Sequence, residues 1–501
     1  MLSKRHREKL EKSGKFELPD GLTIDGILTL DGSNTTLELY SDRNFDPLSS
    51  SDIFGRLYDH TKISLIDCIT SGLGHGGHPE EPYYFSSIFP HFVLLGEKHI
   101  SSSCRQIQSL SFTTDDASKI FEDFDVFGSV IGDSKRHLQA IVDEGKLGRE
   151  IEIGDHPQIF YYTGKRSIFS ADTALGKITA WHNFGGGIPG TDGILFSNQV
   201  RLIVEFHERK TVEETISTTL DMLRFLELIA GRKQVISDLS FNLEEENSRP
   251  ELIDVYWCHY PTRDEREKSK SPHVADLLIH ASQEPEKFAS VLQKWLSLNS
   301  DFLPARVRFS TAFSKGNYYS IDRIVGIANA FDILPLSIFS EQQQLSEDLA
   351  TIVSRTASSF KKLPQSPERD SILGTLGRIG KPFLKTKVRN RAQKITDCSN
   401  GRFPHLEDVV DEAINCRNYY VHGSESKFSY EDHKWLESFF TDTLEFVFAA
   451  SDLIDCGWDL NEWLKRGTIG RHPFGNYKVN YRSRVDEFLK LLKAVENSRQ
   501  Q

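Results

Sequence analysis

The period of the hydrophobic pattern changes once along this chain, and that change limits the fold more than any other feature. From about residue 20 to 210, short segments alternate apolar and polar residues: LTIDGILTL, TTLELY, HFVLLG, QSLSF, QIFYYTG and VRLIVEFHE, separated by Gly, Ser, Asn and Asp. A period of two marks strands with one buried face, and the turn residues between them mark their ends. Past residue 272 the spacing becomes three and four. It predicts helices near 273–281, 285–298, 318–334, 341–360, 405–422, 430–454 and 482–497, punctuated by Gly401, Pro404, Gly423 and Gly457. Elements segregated in this way predict an α+β fold, with a β-rich N-terminal domain followed by an all-α C-terminal bundle.

One long helix falls inside the β-rich half, over TVEETISTTLDMLRFLELIAGRK at 211–233. Glu213 and Glu214 favour its N-terminus, Ile216, Leu220, Leu223 and Ile229 recur at helical spacing, and Gly231 supplies a stop. A strand-like LIDVYWCHY follows at 252–260. PTRDEREKSKSP, 261–272, is charged, poor in apolar residues and bracketed by prolines, which reads as a linker. The expected division is a flexible tail over 1–15, a β-rich domain over 16–260, the linker, a helical connector over 273–315 and a helical domain over 316–501.

The 501 residues are 38% hydrophobic and 26% charged, ordinary values for a soluble globular protein. No run of 18 apolar residues spans a membrane, and the basic N-terminus lacks the apolar stretch of a signal peptide, so a cytoplasmic protein is expected. Cysteines at 68, 104, 258, 398, 416 and 456 form no CxxC pair and read as small buried hydrophobes in a reducing compartment. The net charge of −12 argues against indiscriminate binding to nucleic acid but leaves room for a local basic patch.

The stretch DEAINCRNYYVHGSES, 411–426, concentrates the chemistry. Apolar residues at 406, 409, 410, 413, 414, 420 and 421 form a helical stripe, and Arg417 falls within it. A buried arginine is costly without an anionic partner. Asp411, Asn415, Asn418 and His422 form a separate polar line. Arg417 and His422 stand ~140° apart on an ideal helix at ~100° per residue, so one straight helix does not aim both at one phosphate. Either the helix ends at His422 with Gly423 as C′ residue, freeing the imidazole, or two copies of the helix face each other across a dimer.

These residue types suit RNA cleavage by transesterification. Histidine, with an ordinary pKa near ~6.5, takes a proton from a ribose 2′-OH or gives one to the leaving 5′-oxygen. Arginine offers a charged fork to phosphate and to charge developing in the transition state. Asn418 is placed to position an oxygen or orient His422. The chemistry asks for no metal and no cofactor, and its need for a 2′-OH leaves DNA inert.

GRIGKPFLKTKVRNRAQK, 377–394, carries Arg378, Lys381, Lys385, Lys387, Arg389, Arg391 and Lys394 and no acidic residue. This run is the expected RNA contact, against the simpler reading of a solvated basic face. Tyr419 could stack a base, whereas Tyr420 falls on the apolar line. The Gly-rich GLGHGGHPEEP, 72–82, reads as a loop. Its His75 and His78, with Cys68, His91, His99 and Cys104, fit no zinc spacing well. FGGGIPGTDG, 184–193, and TGKRS, 163–167, lack the pattern of a phosphate-binding loop. Cys416 has no base oriented at it and reads as core.

The residues RNYYVHG resemble the Arg–polar–x3–His motif of HEPN domains, helical bundles many of which are metal-independent ribonucleases. The setting is similar too: an upstream helix around IDRIVGIANAFDILP and a long helix after EDHKWLESFF. LTIDGILTL with TTLELYS, followed by FPHFVLLGEKHISSSCRQIQSLSFTTDDASKIF, resembles the N-terminal domain of ApeA-type proteins. The resemblance implies an anti-phage defence endoribonuclease acting by abortive infection. It implies Arg417, Asn418 and His422 as site residues and a homodimer or higher oligomer through the HEPN domain. The substrate is RNA, with tRNA among the candidates, and the front domain is a place to sense a phage-derived trigger. Some HEPN toxins carry a modifiable tyrosine two residues after the histidine; Ser424 stands here. The alternative is a non-catalytic RNA- or protein-binding HEPN module that regulates by binding. A third reading makes the front half a metal-dependent enzyme.

Overall fold

Phe16 is fully buried, and its ring lies where side chains at Gly26 and Gly55 would otherwise stand: a Cβ on either glycine would come within 2.9 Å of it. That packing centres a closed β-barrel. The structure is a computed structural model that describes residues 9–18, 21–45, 52–78, 81–131, 135–145, 148, 150–186, 193, 195–243, 251–261, 270–339 and 346–499. It falls into two units: Met1–Met222 with Gln234–Thr262 and Ile279–Ala289, and Leu223–Lys233 with Arg263–Leu278 and Ser290–Gln501.

The strands of the first unit are β1 (Leu10–Glu17), β2 (Thr23–Leu30), β3 (Thr36–Ser41), β4 (Ile53–Leu57), β5 (Lys62–His78), β6 (Glu81–Gly96), β7 (Ile107–Thr114), β8 (Phe127–Ile131), β9 (Gln158–Tyr162), β10 (Ser167–Thr173), β11 (Gly176–Gly186), β12 (Phe196–Lys210), β13 (Ile236–Leu243) and β14 (Glu251–Trp257). Twelve form one antiparallel sheet in the order β10-β11-β12-β7-β13-β14-β6-β3-β2-β1-β4-β5, and β8 pairs with β9 separately. Because β5 also pairs with β6 along its length, strands β6-β3-β2-β1-β4-β5 close on themselves. On its other edge β6 pairs with β3 through Tyr84–Ile88 and with β14 through Phe92–Leu95. Pro90, which has no N–H to donate, sits at the change of partner. The alternating residues Leu28, Leu30, Leu37, Leu39, Ile63 and Leu65 fill the barrel around Phe16.

Two sequence expectations are corrected here. The tail does not extend to residue 15: β1 starts at Leu10 and pairs with β2 and β4, because Phe16 and the alternation leading to it supply a buried face. Residues 1–8 lie outside those described, as do 262–269 of the expected linker and 187–192 of the glycine-rich FGGGIPGTDG. GLGHGGH, 72–78, is no loop. Residues 72–78 continue β5 and pair with 81–87, with the rings of Phe85 and Tyr83 against Gly74 and Gly76.

The helices are α1 (Ala117–Ile120), α2 (Lys135–Glu144), α3 (Val212–Ala230), α4 (Pro285–Ser297), α5 (Asn299–Phe313), α6 (Ile321–Asp332), α7 (Glu347–Lys361), α8 (Pro367–Leu376), α9 (Leu384–Cys398), α10 (Leu406–His422), α11 (Lys434–Asp455), α12 (Leu460–Lys465) and α13 (Pro473–Arg499). The helix expected at 273–281 is only a short 3-10 turn, Val274–Asp276. There the Asp276 carboxylate accepts from the N–H groups of Ile469 and Arg471 and from the Thr468 hydroxyl, fixing an irregular path. Conversely, α5 forms despite Pro304, which falls early enough in the helix to cost one hydrogen bond.

In the second unit α11 is buried almost all round, from Leu436 to Leu453. Its carboxylates meet partners from the helices around it. Glu445 takes Arg323 of α6, Asp452 takes Arg306 of α5, and Asp455 takes Arg391 and Lys394 of α9. Charges buried in this way are tolerable because each is paired. α10 packs against α6, α9 and α11, which fixes the surroundings of its C-terminal turn.

Candidate active site

α10 begins with Glu407 and Asp408, charges suited to the positive end of a helix dipole. Leu406, Val409, Val410, Ala413, Ile414 and Cys416 bury its inner face. It ends at His422 because Gly423 takes a left-handed conformation, φ 63° and ψ 27°, and donates its N–H to the Tyr419 carbonyl at 3.0 Å. The helix end at His422, one of the two arrangements open to the sequence, is present in this chain.

At that end Arg417 Nη1 donates to His422 Nε2 at 3.0 Å, within one chain. A guanidinium has no acceptor, so in this contact Nε2 is the acceptor. Nη1 also donates to Asn418 Oδ1 at 3.1 Å, and Nη2 to Asn329 Oδ1 at 3.1 Å. Arg417 Nε is buried without a partner. Among the described residues no carboxylate pairs with Arg417, unlike Arg306, Arg323 and Arg391. A half-buried cation held by neutral acceptors, beside an exposed imidazole, has the chemistry to receive an anion.

Asn329 is the site residue that sequence reasoning missed. It projects from α6, and its one local signal is a polar residue inside the apolar run VGIANAF. Asn418 binds Arg417, not His422. Tyr419 is exposed, its ring 5.1 Å from that of Tyr420 and 5.3 Å from that of Tyr430. The Tyr420 hydroxyl donates to Glu437 of α11; burial first, and then that bond, hold its phenol above the usual range. Burial pushes the Cys416 thiol up to about 12, which suits packing and not a nucleophile.

The basic run divides. Arg391 is buried against Asp455 and Ser451, and the Lys387 ammonium is buried against the Asp332 carbonyl, so neither presents a charge at the surface. Lys394 pairs with Asp455, while Lys385 and Arg389 pair with Asp411. Arg378 and Lys381 are exposed at the turn before α9 and make no side-chain ion pair among the described residues. The run reads as a patch in sequence because its acidic partners lie on α10 and α11. In the front unit, Cys68, His75, His78, His91, His99 and Cys104 do not converge, and no three His, Cys, Asp or Glu groups could hold a metal ion among the described residues.

A β-rich unit and a helical unit with Arg and His at the end of a bundle helix describe a two-part HEPN-containing protein. The model of ApeA N-terminal domain 1 matches residues 11–295, and that of the Apea-like HEPN matches residues 325–462, which include Asn329, Arg417 and His422. The chain belongs to the ApeA family of anti-phage defence proteins. No curated protein and no solved structure matches it. Among the described residues no helix is long and apolar enough to cross a membrane.

Proposed function

We propose that the chain is a metal-independent endoribonuclease that acts in anti-phage defence by abortive infection, with Arg417 and His422 as its reactive pair. The observation that carries this reading is the 3.0 Å contact between Arg417 Nη1 and His422 Nε2, on an arginine that no carboxylate neutralises. A phosphodiester entering the site supplies the missing anion. Arg417 then turns its N–H groups to phosphate oxygens and releases the Nε2 lone pair. In one assignment His422 takes the 2′-OH proton. The 2′-oxygen attacks phosphorus, the bond from phosphorus to the 5′-oxygen breaks, and the leaving oxygen takes a proton from water, giving a cyclic phosphate and a 5′-hydroxyl. In the other assignment a protonated His422 gives its proton to that leaving oxygen and water takes the 2′-OH proton. Asn418 and Asn329 hold the guanidinium in place.

In this reading the substrate is RNA, Arg378 and Lys381 are the members of the basic run free to meet its backbone, and the enzyme works in the cytoplasm. Two chains assemble through their helical units, and the β-rich unit holds the nuclease off until a phage-derived trigger arrives. The test is a matched cleavage assay in EDTA. Wild type, Arg417→Ala and His422→Ala are incubated with total cellular RNA, alone and with lysate from phage-infected cells, after circular dichroism shows that all three fold alike. Cleavage by wild type only supports the proposal. Equal cleavage by all three overturns the site, and no cleavage under either condition leaves the helical unit a binding module.

A further inference from the structure

A second cationic site lies on the helical unit, assembled from three segments far apart in sequence. The turn after α9, the end of α12 and the first turns of α13 enclose a cleft of about 580 Å³ whose lining includes Asn400, Gly401, Arg402, Lys465, Lys478 and Arg482. Four of these six are cations. Lys465 is paired with Glu462 at 2.6 Å. Arg402 and Arg482 are exposed and make no side-chain hydrogen bond or ion pair among the described residues. Lys478 is 5% exposed, its ammonium donating to the Trp463 and Arg466 carbonyls at 3.2 and 2.8 Å. Burial first, and then the like charges of Arg466 and Arg402, push it down to about 8, with Asp276 opposing them. The fold thus holds several positive charges together without an equal number of carboxylates, in a chain whose net charge is −12.

The backbone adds to this. Ser399 has φ −105° and ψ 2°, Asn400 has φ 50° and Gly401 φ 73°. Consecutive residues of that kind turn their N–H groups toward one concavity, a shape that receives anions. The N–H groups of Asn400 and Gly401 donate to no acceptor among the described residues. Packing and a hydrogen bond anchor the chain that follows the turn. Phe403 is buried against Phe446 and Tyr481, and the Tyr481 hydroxyl donates to the Pro404 carbonyl at 2.8 Å.

We propose that this cleft is an exosite for the phosphate backbone of RNA, distinct from the Arg417–His422 site and binding the same substrate; it rests on the reading of the chain as a ribonuclease. Its turn leads into the first residue of α10, whereas His422 ends that helix. Seventeen residues at ~1.5 Å each separate the two sites by about 25 Å. An RNA must therefore extend well beyond the cut bond to reach both, which selects structured or long RNA over short fragments.

The test measures binding, not cleavage, in the full-length chain carrying His422→Ala. Fluorescence anisotropy with a labelled RNA hairpin is compared with the same protein carrying Arg402→Ala and Arg482→Ala, and with one carrying Lys490→Ala and Lys493→Ala, two exposed lysines of α13 outside the cleft. The expected result is at least a tenfold loss for the arginine pair, little for the lysine pair, and a salt dependence shallower by about two phosphate contacts for the arginine pair. Equal losses for the two pairs, or none, overturn the exosite. If the His422→Ala parent binds no RNA at all, the ribonuclease reading fails with it, whereas binding that survives loss of the arginines sinks the exosite alone.

Discussion

Asn329 and Arg417, 88 residues apart in the chain, meet at 3.1 Å, where the carboxamide oxygen of α6 accepts from the guanidinium of α10. A neutral acceptor there orients the arginine without cancelling its charge. Asn329→Ala is expected to lower RNA cleavage about tenfold, ~1.4 kcal/mol in the barrier, with thermal stability little changed. Asn329→Asp places a carboxylate against Arg417 and is expected to lower cleavage as far as Arg417→Ala does. Steady-state cleavage of one defined RNA checks both, and an aspartate variant as active as wild type contradicts the role given to the free charge.

Gly423 sets where α10 stops. A Cβ at this position meets nothing within 4 Å, so the cost of Gly423→Ala is the left-handed backbone alone, about 1 kcal/mol. That cost falls on the turn that places His422, so a small drop in melting temperature is expected together with a larger drop in cleavage. Asparagine adopts this conformation more readily than alanine, and Gly423→Asn is expected to recover much of both. Melting curves and cleavage rates for the three proteins decide it.

Arg306 and Asp452 form a bidentate pair with both side chains 3% exposed. Asp452→Ala leaves the arginine buried without its anion and is expected to cost about 3–5 kcal/mol. Urea denaturation followed by helical circular dichroism reads the loss. A change below ~1 kcal/mol would mean that water reaches Arg306 and the pair is less enclosed than its geometry indicates.

His472 makes the helical unit sensitive to mild acid. Its Nε2 donates to the Leu228 carbonyl at 3.1 Å while its Nδ1 accepts from the Phe474 N–H at 3.1 Å, so the neutral ring is fully satisfied and a second proton breaks the latter bond. Burial lowers its pKa to about 4, against partial opposition from the Leu228 bond and Asp276. Between an unfolded value of ~6.5 and about 4, the unfolded chain holds a proton that the folded chain refuses. Stability is therefore full above that window and falls as pH drops through it, by on the order of 3 kcal/mol in all. Urea midpoints from pH 7.5 to 4.5 are expected to fall with pH, and His472→Gln is expected to flatten the slope.

The positions of the segments were legible wherever the pattern is local. The strands of LTIDGILTL and VRLIVEFHE, helix α3 with its stop at Gly231, and the end of α10 at Gly423 follow from alternation, helical spacing and a residue tolerant of positive φ. Local reading failed where a distant partner overrides propensity. The tail became β1 because two later strands pair with it, and 273–281 lost its helix because Asp276 is claimed by backbone groups near residue 470.

The same division holds at the site. That an arginine, an asparagine and a histidine lie on the last turns of one helix can be read from RNYYVHG alone, because helical spacing and a glycine decide where that helix runs out. That Arg417 bends to His422, that Asn329 completes its cradle and that most of the basic run is already paired depends on how the helices pack. Asp411 lies on α10 and Asp455 on α11, so the charge of Lys385, Arg389, Arg391 and Lys394 is known only after those helices have packed. Electrostatic attraction acts through space over a few ångströms, and sequence records only the order in which its charges are strung.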